Sequence, residues 1–338
     1  MKIVLFAVAA FLSAVASGTV KTFSCRVIDR ETGLSIVGAK VRASFGNHSI
    51  DWNTAGDISL KYATTDADGK CRFTGRTNND QFGWSVLEAQ GYYQADGEYI
   101  DFVGPSVMGV GVQVGTKVST ARLDRVINPI PLFIKQVGEG GALEENLFEK
   151  GNGIIEYDLV QGDWLPPIGV GKVADLRVTL KFEDLGEIVL TKALRLKKFR
   201  NETVIQFCGK GNGIRQMEYD PRSALRVRTA PEDGYRDSLV RWIYWRSQEE
   251  GYRDNRDDTR SYCFRIRTEY NEDGTVRSAY YGKIYGDFRR NCVVGNDKDA
   301  GVRFTYYLNP NPNDRNLEYD QKTNLNPKCR MPPEFFKP

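Results

Sequence analysis

An all-β chain built from two antiparallel β-sandwiches is predicted by three observations. Dry and wet side chains alternate with period two along most of the chain; Asp, Asn and Gly punctuate the alternating runs; and no stretch of about ten residues or more carries a helical apolar pattern. The connector Asn128-Pro129-Ile130-Pro131 divides these runs, because two prolines so close together interrupt a ladder and favour extended chain. The expected domains are therefore a first sandwich at 19–126 and a second at 127–330.

Before the first strand, Lys2 and the apolar run Ile3–Ala16 end in Ala14-Val15-Ala16, the pattern of a secretory signal peptide cleaved near Ala16. Spanning a bilayer takes roughly 20 apolar residues, and no later stretch approaches that, so no membrane span is expected. The expected location is outside the cytoplasm: secreted, periplasmic or at the cell surface.

In the first domain, Phe23, Cys25 and Val27 share one strand face, closed by the turn Asp29–Gly33. Val37–Ala43 follows, then the tight hairpin Thr64–Gly69, where Gly69 can take positive φ. Cys71 and Phe73 then share a face. Cys25 and Cys71 thus stand at inward parity on two strands, where a bridge is geometrically reasonable. Six cysteines in an exported chain point to disulfides. The spacing separates this pair from Cys208, Cys263, Cys292 and Cys329, for which Cys208–Cys263 and Cys292–Cys329 are the expected bridges. Buried free thiols are the alternative for each pair.

The order CRVIDRETG, IVGAKVRAS, TTDADGKCRF, VLEAQGYY resembles the carboxypeptidase regulatory-like domain, a transthyretin- or prealbumin-like sandwich of the carbohydrate-binding-like group. The likeness covers residues 20 to about 100, with 118–126 as a last strand. It implies a seven-stranded accessory module of secreted or surface proteins and brings no active-site residues. The chain departs from the pattern by an insertion at 46–57 and a glycine-rich stretch at 107–115.

In the second domain Leu176, Val178, Leu180 and Phe182 alternate with Arg177, Thr179, Lys181 and Glu183. Phe264, Ile266 and Thr268 stand opposite Arg265, Arg267 and Glu269, and Asn271–Gly274 turns into the strand beginning at Val276. This is the pattern of strands with one dry and one wet face. The phrases NPIPLFIKQV, EYDLVQGDW, YGKIYGDF and TYYLNPNPNDRNLEYD are similar to the C-terminal half of bacterial secreted proteins that carry the same first module. That likeness implies a fold and a bacterial origin, with no reaction attached, and the sequons at Asn47 and Asn201 would then go unused.

Lys-Gly-Asn-Gly-Ile occurs twice, at 150–154 and 210–214. Neither copy has the spacing of a phosphate loop or dinucleotide fingerprint, and no helix follows to receive an anion. Asn between glycines is turn chemistry, so paired structural turns are expected, with a partial internal duplication as the alternative.

Composition excludes several chemistries. The 47 basic and 44 acidic residues leave a net charge of +3, with no polyelectrolyte footprint for nucleic acid. Short basic clusters such as Arg195–Arg200 read as solvated strand faces. His48 is the sole histidine, which removes His-based triads and His-rich zinc sites. Calcium would need more than the carboxylates at Asp66/Asp68, Asp254/Asp257/Asp258 and Asp297/Asp299, none of which completes a twelve-position loop ending in Glu. Neither a metal, a cofactor nor a catalytic residue is therefore expected.

The positive candidate is aromatic. In Arg241–Arg246, Trp242 and Tyr244 fall on one strand face and Ile243 and Trp245 on the other. Tyr281 and Tyr285 are expected on a strand of the same sheet. Flat rings flanked by charge suit stacking on sugars, whereas core packing with cross-strand ring pairs is the competing explanation. The expected function is non-catalytic binding of a polysaccharide or glycoprotein. The alternatives are a structural or assembly component of the cell surface contacting proteins through sheet edges, and a glycoside-cleaving enzyme with two facing carboxylates.

Overall fold

The computed structural model describes residues 19–45, 59–77, 81–98, 100–101, 112–114, 118–138, 153–189, 195–247, 249–257, 260–292, 300–329 and 331–338. The signal-peptide run, His48, the insertion at 46–57, Asp258, Asp297, Asp299 and the first residues of the earlier Lys-Gly-Asn-Gly-Ile copy lie outside the described residues. The chain is all-β and separates into two compact units, Met1–Val126 and Ile127–Pro338.

The first unit contains β1 (Thr19–Asp29), β2 (Lys40–Phe45), β3 (Ser59–Thr64), β4 (Lys70–Thr77), β5 (Gln81–Phe82), β6 (Trp84–Glu88), β7 (Ala95–Asp96), β8 (Ile100–Asp101), β9 (Val112–Val114) and β10 (Ser119–Leu123). One sheet runs β10-β1-β4, with β9 also on β1; a second runs β3-β2-β6-β7, and β5 pairs with β8. Period-two alternation decides which side chains enter the core. Val41, Ala43 and Phe45 point inward from β2 while Lys40, Arg42 and Ser44 stay wet. They pack with Phe23, Val27, Phe73, Trp84, Val86, Ala121 and Leu123.

Cys25 and Cys71 lie directly opposite on antiparallel β1 and β4 and form a disulfide with Cα atoms 5.3 Å apart. The hairpin before β4 forms because Asp66 accepts from the amides of Asp68 and Lys70 at 2.9 and 2.8 Å. Gly69 takes φ +69° there, and a Cβ would meet the Val27 carbonyl oxygen at 2.7 Å, so only glycine fits.

At the end of β1 the buried Asp29 accepts from Glu31 N, Thr32 N, the Tyr92 hydroxyl and the Arg125 guanidinium. Burial alone would raise its pKa. The Thr32 amide, Arg125 and Tyr92 outweigh that and hold the carboxyl well below the usual range.

The disulfide closes a loop with a sequence separation of 46, which in the chain-entropy account stabilises by about 4 kcal/mol. Reduction, or a Cys25→Ala/Cys71→Ala pair, is expected to lower first-unit stability by roughly that amount in urea. An unchanged unfolding midpoint would contradict it.

The second unit contains β11 (Ile130–Val137), β12 (Gly153–Asp158), β13 (Asp163–Trp164), β14 (Leu176–Val189), β15 (Arg195–Phe207), β16 (Gly213–Met217), β17 (Ser238–Trp245), β18 (Tyr252–Asp254), β19 (Ser261–Tyr270), β20 (Val276–Cys292), β21 (Ala300–Leu308) and β22 (Tyr319–Asn324). They form two six-stranded sheets, β16-β19-β20-β21-β11-β22 and β13-β12-β14-β15-β17-β18. These pack face to face. Leu176, Val178, Leu180, Ile205 and Phe207 from the β15 sheet meet Phe264, Ile266, Ile284, Phe304 and Tyr306 from the β19 sheet.

The expected alternation in β19 stops at Ile266. A register shift follows, Arg267 adopts φ +52°, and its guanidinium reaches Asp158 and Asp175 at 2.7 and 2.9 Å. The bulge redirects one side chain to two buried carboxylates, which simple parity does not foresee.

The two sheets differ on their outer faces. The β19 sheet is covered by chain: Val227, Ala230 and Leu317 pack on Cys263, Ala279 and Tyr281, and farther along Phe336 packs on Tyr307 and Tyr319. Under this cover Lys283, on β20, is fully buried. Its Nζ donates to the carbonyls of Leu317 and Val227 at 2.7 and 3.3 Å, pinning both covering segments to the sheet. Burial lowers its pKa to about 7, partly opposed by the Cys263 thiol and Glu318 and reinforced by Arg226 and Arg228.

Between about pH 7 and the ordinary lysine range the unfolded chain therefore holds a proton at this residue that the folded chain lacks. Stability should rise with pH across that window. Urea midpoints measured from pH 6.5 to pH 9 are expected to show a smaller rise in Lys283→Met than in the parent. Parallel pH profiles for the two proteins would contradict it.

Candidate functional site

The segment Ser-Leu-Val-Arg-Trp-Ile-Tyr-Trp forms β17 between β15 and β18. Alternation sends Arg241, Ile243 and Trp245 inward and Val240, Trp242 and Tyr244 outward. The inward Arg241 is held firmly. Its Nε donates to both Asp287 oxygens at 2.8 and 2.9 Å, one Nη donates to the Val240 carbonyl at 3.0 Å, and the other donates to the Tyr262 hydroxyl. Asp287 also accepts from the amides of Asp257 and Phe288. A buried ion pair so completely hydrogen-bonded ties β17 to β20 across the sandwich. At the opposite edge Asn255 accepts from Trp242 N at 2.8 Å and donates to the Val240 carbonyl at 3.0 Å.

With the strand fixed from both sides, the outward rings are ordered. Trp242 and Tyr244 are half-buried and stacked, with centroids 5.4 Å apart and planes at 18°. The Arg246 guanidinium lies 4.8 Å from the Tyr244 centroid, so positions i, i+2 and i+4 make one stacked series.

Register defines the surroundings. Trp242 stands beside Glu202, which stands beside Lys181. Tyr244 stands between Arg200 and Arg253, and Glu183 lies beyond Arg200. On the other side of Trp242 the row Ile154, Thr179, Val204, Val240 is apolar apart from one hydroxyl, with Ile154 64% and Val240 41% exposed. A cavity of about 80 Å³, larger than a single water needs, is lined by Trp242, Asp254, Asn255 and Arg256 together with the inward-facing Arg241, Ile243 and Phe288.

The structure separates the five expected aromatic residues. Trp242 and Tyr244 share the outer face of the β15 sheet. Trp245 is buried on the inner face. Tyr281 and Tyr285 belong to β20 in the other sheet, contrary to the expectation of one shared sheet, because β17 pairs with β15 and β18 while β20 pairs with β19 and β21. Tyr281 packs under Val227 and Leu317, and the Tyr285 hydroxyl accepts from Arg226.

The cysteine expectations are likewise corrected in the second unit. Cys208, Cys263 and Cys329 carry free thiols, so neither Cys208–Cys263 nor Cys292–Cys329 is bridged. Topology gives the reason for the first. Cys263 faces outward between Arg215 and Lys283 on the β19 sheet, whereas Cys208 follows β15 in the opposite sheet.

The second Lys-Gly-Asn-Gly-Ile copy is a turn. Asn212 donates to the Cys208 carbonyl and accepts from Thr268 N at 2.9 Å, and Gly211 takes φ +76°.

Buried ionisable residues were the signal missed in the sequence: Arg241 on the inner face of β17, Lys283 on the chain-covered face of β20, and Asp158 at the end of β12. Asp158 and Asp175 are each 1% exposed and both bond Arg267. Burial pushes both carboxyls up. Backbone amides of Gln161, Lys172 and Val173, with Arg267, bring Asp158 below its ordinary value, while Asp175 stays above. Among the described residues no group of three or more His, Cys, Asp or Glu side chains could hold a metal ion. Asp66 and Asp68 serve their own hairpin and Asp254 accepts from Arg256 N.

No family model matches this chain, and no curated protein or solved structure shows significant similarity to it.

Burial pushes the Cys263 thiol up to about 12. Unreduced, denatured protein is expected to release at least the three thiols of Cys208, Cys263 and Cys329 to a disulfide reagent, with Cys263 unreactive at pH 8 until the chain unfolds. Release of no thiol without reductant would contradict this.

Proposed function

We propose that the chain is an exported, non-catalytic carbohydrate-binding protein whose ligand lies on the outer face of the β15 sheet, against Trp242 and Tyr244. The carrying observation is the stacked ring pair, half-exposed and held in place by the Arg241–Asp287 clamp behind it and Asn255 beside it. Rings already ordered lose little side-chain freedom when a sugar stacks on them. The adjoining apolar row adds contact area of the kind a polysaccharide uses.

The first unit fits the role of an accessory module of the carboxypeptidase regulatory-like kind. Support comes from the residues that carry the resemblance, from its two four-stranded sheets, and from the Cys25–Cys71 bridge, which suits an oxidising compartment. A surface-assembly role is the second reading, favoured by the edge strand β3, which among the described residues pairs only with β2 and leaves Leu60 and Tyr62 45% and 65% exposed. Asp158 and Asp175 lend no support to glycoside cleavage, since both are buried and committed to one guanidinium.

Trp242→Ala and Tyr244→Ala are each expected to weaken polysaccharide binding about tenfold in affinity electrophoresis, the equivalent of a lost stacking contact of roughly 1.4 kcal/mol. Tyr281→Phe, on the covered sheet, should bind as the parent does. Equal retardation of the parent and both ring variants would refute the assignment.

A further inference from the structure

We infer that the glycan recognised by this face is an acidic one, bearing carboxylate or sulfate groups on its sugar rings. The inference rests on the carbohydrate reading above and takes it from a general platform to a chemical class.

Its basis is the charge accounting around Tyr244. Arg200 and Arg253 flank the ring from the two neighbouring strands, Arg246 lies against it, and Lys198 has the same outward parity two residues before Arg200. All three arginines are exposed. The nearest carboxylates offset the group only in part, and Asp254, next to Arg253 on β18, lines the cavity on the side of Ile243. Glu202 lies 3.7 Å from Arg200 and 4.0 Å from Lys181, dividing its charge between them, and Glu183 stands on the far side of Arg200. Among the described residues no carboxylate forms a salt bridge with Arg246 or Arg253, although Arg177, Arg215, Arg277 and Arg315 in the same unit each have one.

Arg246 and Arg253, with no carboxylate partner among the described residues, are donors beside an ordered ring stack. A guanidinium offers a planar fork that matches a carboxylate or sulfate with two parallel hydrogen bonds. Arg200 and Arg253 sit on strands separated by one intervening strand, so their backbones are about 10 Å apart. That spacing lets charges on successive sugars of one chain be met on either side of the rings.

A neutral glycan offers these cations only hydroxyl acceptors, which form weaker hydrogen bonds than a carboxylate or sulfate. Nucleic acid fits less well. The net charge of +3 gives no broad basic surface to track a phosphate backbone.

The test measures binding of the parent protein and of an Arg246→Gln/Arg253→Gln double variant to polygalacturonate, heparin, barley β-glucan and single-stranded DNA, at low and high sodium chloride. A single Arg253→Gln variant keeps the Arg246–Tyr244 contact intact and guards against a local folding effect. The parent is expected to bind polygalacturonate or heparin at least tenfold more tightly than β-glucan, to lose most of that preference as salt screens exposed charge, and to lose about tenfold affinity in the double variant. Arg253→Gln should fall between them.

If β-glucan binds as tightly as the acidic polymers and the arginine variants are unchanged, the acidic class is wrong while the glycan site stands. If no polysaccharide binds at all, the carbohydrate reading itself fails. If DNA binds as tightly as heparin, the cations attract polyanions in general and the inference is overturned.

Discussion

A β-sheet has two faces, and each must meet either apolar chain or water. The second unit answers this constraint differently for its two sheets. The β19 sheet is dry on both sides, with Phe264 and Ile284 on the shared core and Tyr281, Lys283 and Tyr307 beneath covering chain. The β15 sheet is dry on the core side, and its outer face carries Arg177, Lys181, Glu202, Arg200, Trp242 and Tyr244. Aromatic side chains at similar places in two strands therefore have opposite roles. Tyr281 completes a core, whereas Trp242 faces solvent.

The buried charges give that outer face its rigidity. A guanidinium inside a sandwich is tolerated only when its hydrogen bonds are met, and Arg241 meets them with Asp287, Tyr262 and the Val240 carbonyl. Arg267 does the same for Asp158 and Asp175 at the other end of the core. Each cluster joins one sheet to the other, so the strands cannot slide without breaking it. In the first unit Asp29 works in the same manner, gathering the turn after β1, Tyr92 and Arg125 onto one carboxylate.

Much of this was legible in local pattern. Alternation identified the inward faces of β1 and β14, Asp66–Gly69 and Asn271–Gly274 marked hairpins whose glycines take positive φ, and the parity of Cys25 and Cys71 led to their bridge. The two faces of β17 were also readable from Arg241–Arg246. What local pattern does not contain is pairing at long range. Whether β17 and β20 share a sheet depends on strands far apart in the chain, and the wrong choice placed Tyr281 and Tyr285 beside Trp242. The same gap misassigned Cys208 and Cys263, which follow or occupy strands of opposite sheets. The bulge at Arg267 was invisible because an arginine in a wet position looks the same whether it meets solvent or two buried aspartates.

The central claim is that Trp242 and Tyr244 form an open, ligand-accepting surface while their counterparts on the other sheet are sealed. Hydroxyl-radical footprinting read by mass spectrometry tests it residue by residue. The account predicts oxidation of Trp242 and Tyr244 in the free protein, protection of both by saturating polysaccharide, and little reaction at Trp245 and Tyr281 in either state. Unreactive Trp242 in the free protein, or oxidation of both rings at the same rate with polysaccharide bound, would contradict it.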